Sequence, residues 1–167
     1  MCESRVLLVE GYEGTNRLYV FDVNETHTLS YAGNVYIEKK FYGVACTRRG
    51  NDTLVAFRHE SSVSLHRLAS LPLRLEPLAS VNVTGSWRLL FRGDLLLVAD
   101  YNRDTGRDAI VSFRVSGNAL TERRVDAQTG DGVRVWALAG ERLVVVTWKE
   151  WLVYDFTGEW ASHRGRQ

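Results

Sequence analysis

Residues that cross-link a fold or bind soft metals are scarce in this sequence of 167 residues, which has two cysteines, one methionine and four histidines. Cys2 and Cys46 are too few for the disulfide framework of a small secreted domain. Cys46 lies within an apolar, strand-like run, and we interpret it as a buried thiol. No apolar run approaches the ~20 residues that a membrane-spanning helix needs, so we expect no such helix.

The sequence also lacks a large net charge of either sign, because 21 Lys and Arg residues are balanced by 20 Asp and Glu residues. A formal charge of +1 gives no overall attraction toward nucleic acid or an anionic membrane. We therefore predict neither nucleic acid nor a membrane as the partner. Residues 1–4 lack the basic region and apolar run of a signal peptide, and we expect a cytoplasmic location.

Short apolar runs dominate the chain, and no stretch shows helical periodicity over three turns with caps at both ends. Runs rich in Val, Leu, Tyr and Phe, bounded by Gly, Asn or Asp, are typical of β-strands. Such runs occupy residues 5–10, 17–23, 53–57, 95–99 and 143–147. The segment 65–78 comes nearest to helical spacing, but Pro72 and Pro77 would interrupt a helix. The sequence predicts an all-β fold.

A repeat relates these runs to one another. The segment RGNDTLVA at 49–56 is matched by RGDLLLVA at 92–99, about 43 residues later, and by GERLVVV at 140–146, about 47 further on. Other strand-like runs precede and follow each of them, and a more polar strand closes the unit. Four antiparallel strands in roughly 40 to 50 residues is the spacing of a β-propeller blade.

The chain resembles β-propeller repeat proteins in the broad sense, including the WD40-like, quinoprotein-like and YVTN-like groups. RLYVFDV at 17–23 and RLVVVTWKEWLVYDF at 142–156 look like their central hairpins. The Gly-His and Trp-Asp signature of WD40 repeats and the glycine pairs of kelch repeats are absent. The resemblance therefore implies a fold and assigns no functional residues.

We predict a single β-propeller-like domain over residues 1–160, with about 3.5 four-stranded antiparallel blades per chain. The units lie near residues 5–38, 39–83, 84–127 and 128–160, and a basic flexible tail follows at 161–167. This division gives about fourteen strands, with three in the first unit and three in the last. Closed propellers usually have four to eight four-stranded blades, and a partial ring leaves open edges and an uncovered blade face. We hypothesise that a homodimer closes the ring; a fragment of a longer protein and an irregular small propeller are the alternatives.

The segment DYNRDTGRD at 100–108 resembles a calcium loop. Its oxygen-bearing side chains are Asp100, Asn102, Asp104 and Asp108. An EF-hand loop needs Gly at its sixth position and Glu at its twelfth, where this chain has Thr105 and Val111. Asp and Asn also fill hairpin turns, because they bond local amides and tolerate left-handed backbone. We interpret the segment as a hairpin turn, with Ca²⁺ as the alternative, and predict no other cofactor.

Two tryptophans flank a turn in TWKEW at 147–151. If both were exposed, Trp148 and Trp151 would form a stacking platform for a sugar, a base or a partner side chain, whereas packing between blades is the alternative. Trp160 follows the last predicted strand, where it could cover an open blade or a neighbouring subunit. These three tryptophans are the candidate binding residues.

No catalytic motif is present. The histidines are dispersed, and we expect surface or strand positions for His27, His59, His66 and His163. RHESS at 58–62 combines His, Glu and Ser in one hairpin loop, but no nucleophile elbow or phosphate-binding glycine motif accompanies it.

The absence of such motifs favours a non-enzymatic scaffold that mediates protein–protein interaction, with an identical copy as partner. A carbohydrate-binding, lectin-like module that uses Trp148 and Trp151 is one alternative. A propeller hydrolase or lyase, with acidic residues converging on a central funnel, is the other. The fold alone does not distinguish among these three functions.

Overall fold

A computed structural model of the chain describes residues 5–12, 15–84, 88–102, 107–128, 132–157 and 160–166. The regular secondary structure of these residues is entirely β-strand, and the strands form four antiparallel sheets. Across these ranges the chain forms no helix with the length and apolar character required to span a bilayer.

Each sheet is built from strands that are consecutive along the chain, and we number the sheets as blades 1 to 4. Blade 1 has three strands, β1 (Arg5–Tyr12), β2 (Thr15–Val23) and β3 (Leu29–Tyr36). Blade 2 has β4 (Gly43–Arg49), β5 (Asp52–Arg58), β6 (Ser62–Ser70) and β7 (Leu73–Asn82). Blade 3 has β8 (Leu89–Arg92), β9 (Leu95–Asn102), β10 (Arg107–Ser116) and β11 (Ala119–Gln128). Blade 4 has β12 (Val135–Ala139), β13 (Arg142–Val146), β14 (Trp151–Thr157) and β15 (Trp160–Arg166).

The prediction of an all-β, propeller-like fold with about 3.5 four-stranded blades is confirmed, since three sheets have four strands and one has three. The end of the chain differs from the prediction. A tail was predicted for residues 161–167, whereas β15 pairs with β14 from Thr157 opposite Trp160 to Leu152 opposite Arg166. This pairing satisfies the backbone groups along the outer edge of β14. The last blade therefore has four strands, and fifteen strands are described in place of about fourteen.

The repeated glycine of the sequence marks the turn between the first and second strands of blades 2, 3 and 4. Gly50, Gly93 and Gly140 have φ values of 58°, 53° and 60°, a left-handed conformation that L-residues other than Asn and Asp rarely adopt. Nothing lies within 4 Å of a Cβ built at any of the three positions. The backbone conformation, and not a lack of space, explains why glycine recurs there.

Neighbouring blades bury apolar side chains between their facing sheets. On β9, Leu96 and Val98 pack in the core shared with blade 2, while Leu97 and Ala99 pack in the core shared with blade 4. A third core joins blades 1 and 2. Because successive side chains point to opposite faces of a strand, burial of both faces requires a continuous apolar run. This requirement explains the LLLVA sequence of residues 95–99.

The sheets lie side by side. The first strands of neighbouring blades are adjacent at one edge, and the last strands are adjacent at the opposite edge. The first strands β4 and β8 contact each other, and at the opposite edge β3 contacts β7, β7 contacts β11 and β11 contacts β15. Each sheet thus packs face to face with the next in chain order. This arrangement places a chain end at each end of the row of blades.

Cys46 lies on β4 at the margin of the core between blades 1 and 2, where it is partly buried. It is disulfide-bonded in the structure, so the interpretation of Cys46 as a buried thiol is wrong. Cys2 lies outside the described residues. A single cross-link is still far from the disulfide framework of a small secreted domain.

The core between blades 2 and 3 makes a direct prediction about stability. Leu96 is fully buried there, whereas Leu71 in the turn between β6 and β7 is 96% exposed. Leu96→Ala should lower the free energy of unfolding by about 2–5 kcal/mol, because it removes buried methyl groups and leaves a cavity. Leu71→Ala is the matched control and should change it by less than about 0.5 kcal/mol. Urea denaturation checks both values, and equal effects would contradict the assigned core.

Candidate functional site

Blade 1 has one sheet face that no other described sheet covers. Leu18 and Val20 of β2 pack toward blade 2, so the alternate residues of the strand face away from it. Antiparallel pairing places side chains of β1 and β3 on that same face. We call it the blade 1 outer face. It carries the apolar and aromatic residues Val6, Leu8, Tyr19, Phe21, Tyr31 and Tyr36 together with the polar residues Glu10, Arg17 and Asn34.

Aromatic and apolar surface is exposed on the blade 1 outer face. Leu8 is 53% exposed, Tyr31 57% and Tyr36 58%. The rings of Phe21 and Tyr31 contact each other with centroids 5.6 Å apart. The Tyr31 hydroxyl accepts a hydrogen bond of 2.7 Å from Asn34 Nδ2, so its ring is held in place. Exposed, oriented tyrosines of this kind are enriched in protein interfaces.

Blade 4 has the corresponding uncovered face at the other end of the row. Leu143, Val145, Leu152 and Tyr154 pack toward blade 3. The alternate residues therefore face away, and the pairing of β12, β13 and β14 brings them together. We call this the blade 4 outer face. It carries the apolar residues Val135, Ala137, Val144, Val146, Trp151 and Val153 and, beside them, the ion pair of Arg142 with Asp155 at 3.5 Å. Val135 is 54% exposed and Trp151 62%.

The two tryptophans of the 147–151 turn lie on different sides of blade 4. Trp151 belongs to the blade 4 outer face, directly opposite Val146 in the pairing. Trp148 instead lies toward blade 3, since a Cβ built at Gly132 would approach both its indole nitrogen and the carboxylate of Asp108. The Arg134 guanidinium stacks on one face of the Trp148 ring, 3.4 Å from the ring centroid.

The predicted platform needs both rings on one surface, and this placement separates them. The turn itself is fixed by Thr147 Oγ1, which accepts hydrogen bonds from the amides of Lys149 and Glu150. Trp160 begins β15, and its side chain lies outside the described residues. Of the three predicted binding tryptophans, the structure therefore assigns only Trp151 to an uncovered sheet face.

The predicted calcium ligands divide between two faces of blade 3. Asp100 is opposite Ala109 and Asp108 is opposite Tyr101, so the two carboxylates point to opposite sides of the sheet. Asp104 and the side chain of Asn102 lie outside the described residues. Among the residues that the structure does describe, no group of three or more potential ligands comes together.

Both carboxylates instead join neighbouring blades. Asp100 is buried and accepts hydrogen bonds from the Thr84 amide, at 2.5 Å, and from Arg123, at 3.2 Å. Burial lowers the pKa of the fully buried Arg58, and the nearby charge of Asp100 opposes that shift. Asp108 accepts a hydrogen bond from the Val133 amide at 3.3 Å, and its pKa is raised, chiefly by burial. These contacts are structural ties between blades 2, 3 and 4.

A pocket of about 670 Å³ lies between blades 1 and 2, where β3 faces β6 and β7. Its walls combine polar residues with apolar ones, among them Val35, Ile37, Leu75, Leu78 and Ala79. The polar and charged lining residues are Glu38, Lys39, Arg74, Ser62, Ser80, His59, Ser64 and His66. Three of these side chains lie within hydrogen-bond distance of one another, namely His59, Ser64 and His66. The last two occupy alternate positions of β6 and therefore lie on the same face of the strand.

Hydrogen bonds connect these three side chains into a relay. His59 Nδ1 is 2.8 Å from the carbonyl oxygen of Lys40, so it carries the proton and leaves Nε2 as an acceptor. Ser64 Oγ lies 2.8 Å from His59 Nε2 and donates its proton to that atom. His66 Nε2, at 3.0 Å, then donates to Ser64 Oγ. His66 Nδ1 is buried and has no hydrogen-bond partner in the described part of the chain.

The contact between His59 and Ser64 was not predicted from the sequence. RHESS placed His59 near Ser61 and Ser62 in one loop, whereas the structure brings His59 to Ser64 on the following strand. The i, i+2 spacing of Ser64 and His66 is a signal that they share a strand face. The contact that fixes the His59 ring joins it to Lys40, 19 residues earlier, and depends on tertiary structure.

Comparison with known proteins identifies the fold and no family. No family model matches the chain, and none of the curated proteins does. Among solved structures, the chain is similar to a protein from Lactobacillus plantarum, with a TM-score of 0.65 and 17% identity, over 97% of this chain and 51% of that one. It is also similar to the N-terminal domain of Nup159, with a TM-score of 0.61 and 11% identity, over 99% of this chain and 41% of that one.

Both solved structures are β-propellers, so the chain has a β-propeller-like fold. At this level of identity the likeness concerns the fold alone. The chain spans about half the length of the first structure and less than half of the second. Four blades of this chain thus correspond to part of a longer row of blades.

His66 should make the stability of the protein depend on pH. Burial, followed by the interaction with His59, lowers the pKa of His66 from its usual value of about 6.5. Between the lowered pKa and about 6.5 the unfolded state binds more protons than the folded state. The free energy of unfolding should therefore fall as the pH is lowered from about 7 to about 5.

The variant His66→Asn should lose this part of the pH dependence. His27→Asn is the matched control, because His27 is exposed and has a φ of 60°, which asparagine tolerates. Urea midpoints measured at several pH values check the comparison. A His66→Asn protein with the same pH slope as the control would contradict the assignment.

Proposed function

We propose that the protein is an interaction scaffold in which a second copy of the chain completes the propeller ring. The observation that carries this proposal is the pair of uncovered apolar faces at the two ends of the row of blades. Every internal face in the described residues is buried against a neighbouring blade. The two outer faces have the same strand architecture but lack that neighbour.

The composition of the two faces suits a contact between them. The blade 4 outer face is rich in valine and carries Trp151, and the blade 1 outer face carries Leu8 and several tyrosines. Burying apolar surface stabilises an interface by roughly 25 cal/mol per Å² before the costs of association. Aromatic residues surrounded by aliphatic ones are typical of the centre of such an interface.

Two-fold symmetry lets one kind of contact close the ring. Blade 4 of each copy would pack on blade 1 of its partner, so the same contact forms twice and covers all four outer faces. Two chains would contribute eight blades, which lies at the upper end of the usual range for propellers. The length comparison is consistent with this proposal, because the first matched chain is about twice as long as this one.

Carbohydrate binding by a Trp148 and Trp151 platform is less well supported than self-association. The two rings lie on different sides of blade 4, and the Trp148 ring is stacked against Arg134. Because of this separation, Trp148 can serve as a control for substitutions of Trp151 in a test of self-association. Both are large and exposed, at 67% and 62%, but only Trp151 belongs to an outer face.

Trp151→Glu should convert the dimer to a monomer, because it introduces a charge into the proposed contact. Trp148→Glu is the control and should remain dimeric. Size-exclusion chromatography with light scattering measures the mass directly. Wild-type protein that is monomeric at tens of micromolar would overturn the proposal and would favour completion of the ring by a longer chain or a different protein.

Mixing two variants tests which faces meet. Leu8→Glu on the blade 1 outer face should also give a monomer, since each contact then contains one added charge. In a mixture of Leu8→Glu and Trp151→Glu, one of the two contacts in a mixed dimer carries both substitutions and the other carries neither. The mixture should therefore recover dimers, whereas a contact between two copies of blade 4 would give no such recovery.

A further inference from the structure

The relay between blades 1 and 2 has the geometry of an activated nucleophile. A serine hydroxyl becomes nucleophilic when a base lies within hydrogen-bond distance and a third group orients that base. Here Ser64 Oγ is 2.8 Å from His59 Nε2, and the carbonyl of Lys40 accepts from His59 Nδ1 at 2.8 Å. We propose that Ser64 is an acyl-accepting nucleophile, with His59 as its general base, for small esters with an apolar acyl group.

The pocket supplies the space for such a substrate. Its volume of about 670 Å³ is that of a small-molecule site, and both Ser64 and His59 line it. Val35, Ile37 and Leu75 give the walls an apolar character that would hold a short acyl chain. The proposed substrate class rests on the apolar part of these walls, which adjoins the hydroxyl of Ser64.

The relay is also unusual as a purely structural feature. The neighbouring positions on this face of blade 2, such as Phe57 and Leu68, are filled by buried apolar side chains. His66 Nδ1 is buried without a hydrogen-bond partner among the described residues, so the cluster leaves a polar atom unsatisfied. Unsatisfied buried polar groups lower stability, so each one calls for an explanation.

Hydrolysis by this arrangement needs no cofactor. Ser64 Oγ bonds to the carbonyl carbon of the ester, and its proton passes to His59 Nε2. The bond from that carbon to the alcohol oxygen breaks, and the alcohol leaves with the proton from His59. Water then attacks the acyl group on Ser64, again giving a proton to His59, which returns it to Ser64 Oγ. The net reaction converts an ester and water to an acid and an alcohol.

His66 is a positioning residue in this scheme. Because its Nε2–H donates to Ser64 Oγ, the hydroxyl proton of Ser64 is directed toward His59. All three side chains and the pocket belong to one chain and lie on the side of blade 1 that faces blade 2. The inference is therefore independent of the proposed dimer, and either can fail without the other.

A fluorophosphonate probe tests the nucleophile on the intact chain. Its phosphorus would bond to Ser64 Oγ with loss of fluoride, and mass spectrometry of the protein and its peptides would locate the adduct. We expect one adduct, on Ser64, which Ser64→Ala abolishes. His59→Gln should slow labelling by about 100-fold or more, the usual contribution of a general base.

Ser116→Ala is the control, because Ser116 is an exposed serine on β10 of blade 3 and does not line the pocket. It should be labelled at the wild-type rate. Wild-type protein unfolded in urea should not react, which separates the relay from simple serine reactivity even where His59→Gln folds poorly. An unlabelled wild-type protein, an adduct at another residue, or labelling that is indifferent to unfolding would each overturn the proposal.

Discussion

Burial of alternate side chains between facing sheets is the constraint on which the rest of this structure depends. A four-stranded sheet alone leaves both faces in water, and each internal blade satisfies them by packing on two neighbours. β9 shows the result most clearly, since Leu96 and Leu97 are both fully buried in different cores. Each terminal blade packs on only one neighbour, so one of its faces is buried and the other is not covered by a described sheet. Their outer faces follow from the architecture, and self-association is one way to cover them.

Because the space between blades is largely apolar, burying a polar group there lowers stability unless the group is hydrogen-bonded. Two polar clusters lie between blades. Between blades 2 and 3, the buried Asp100 is matched by the Thr84 amide and Arg123, and its charge acts on Arg58. That cluster is consistent with a structural role, because its groups compensate one another. Between blades 1 and 2, His66 Nδ1 is buried without a hydrogen-bond partner among the described residues. The second cluster suggests chemistry because it places a serine hydroxyl 2.8 Å from a histidine nitrogen in a pocket.

Sequence reasoning predicted the strands and their repeat because burial on both faces leaves continuous apolar runs, as at residues 53–57 and 95–99. The glycine of each first turn was equally visible, since only its backbone conformation matters. β15 was missed because residues 161–166, ASHRGR, lack apolar alternation, so nothing in them indicates a strand. The pocket was missed for a different reason. Its relay depends on the Lys40 carbonyl, a backbone atom whose position is set by the packing of blade 1 on blade 2.

Strand alternation in blade 1 keeps the two proposed activities apart while placing them on one sheet. On β3, Val35 lines the pocket toward blade 2 and Asn34 is exposed, whereas Tyr36, the last residue of the strand, is exposed and also lines the pocket. On β2, Leu18 faces the core shared with blade 2, and Tyr19 faces outward. A step from Val35 to Asn34, or from Leu18 to Tyr19, thus moves from the side that faces blade 2 to the outer face of blade 1.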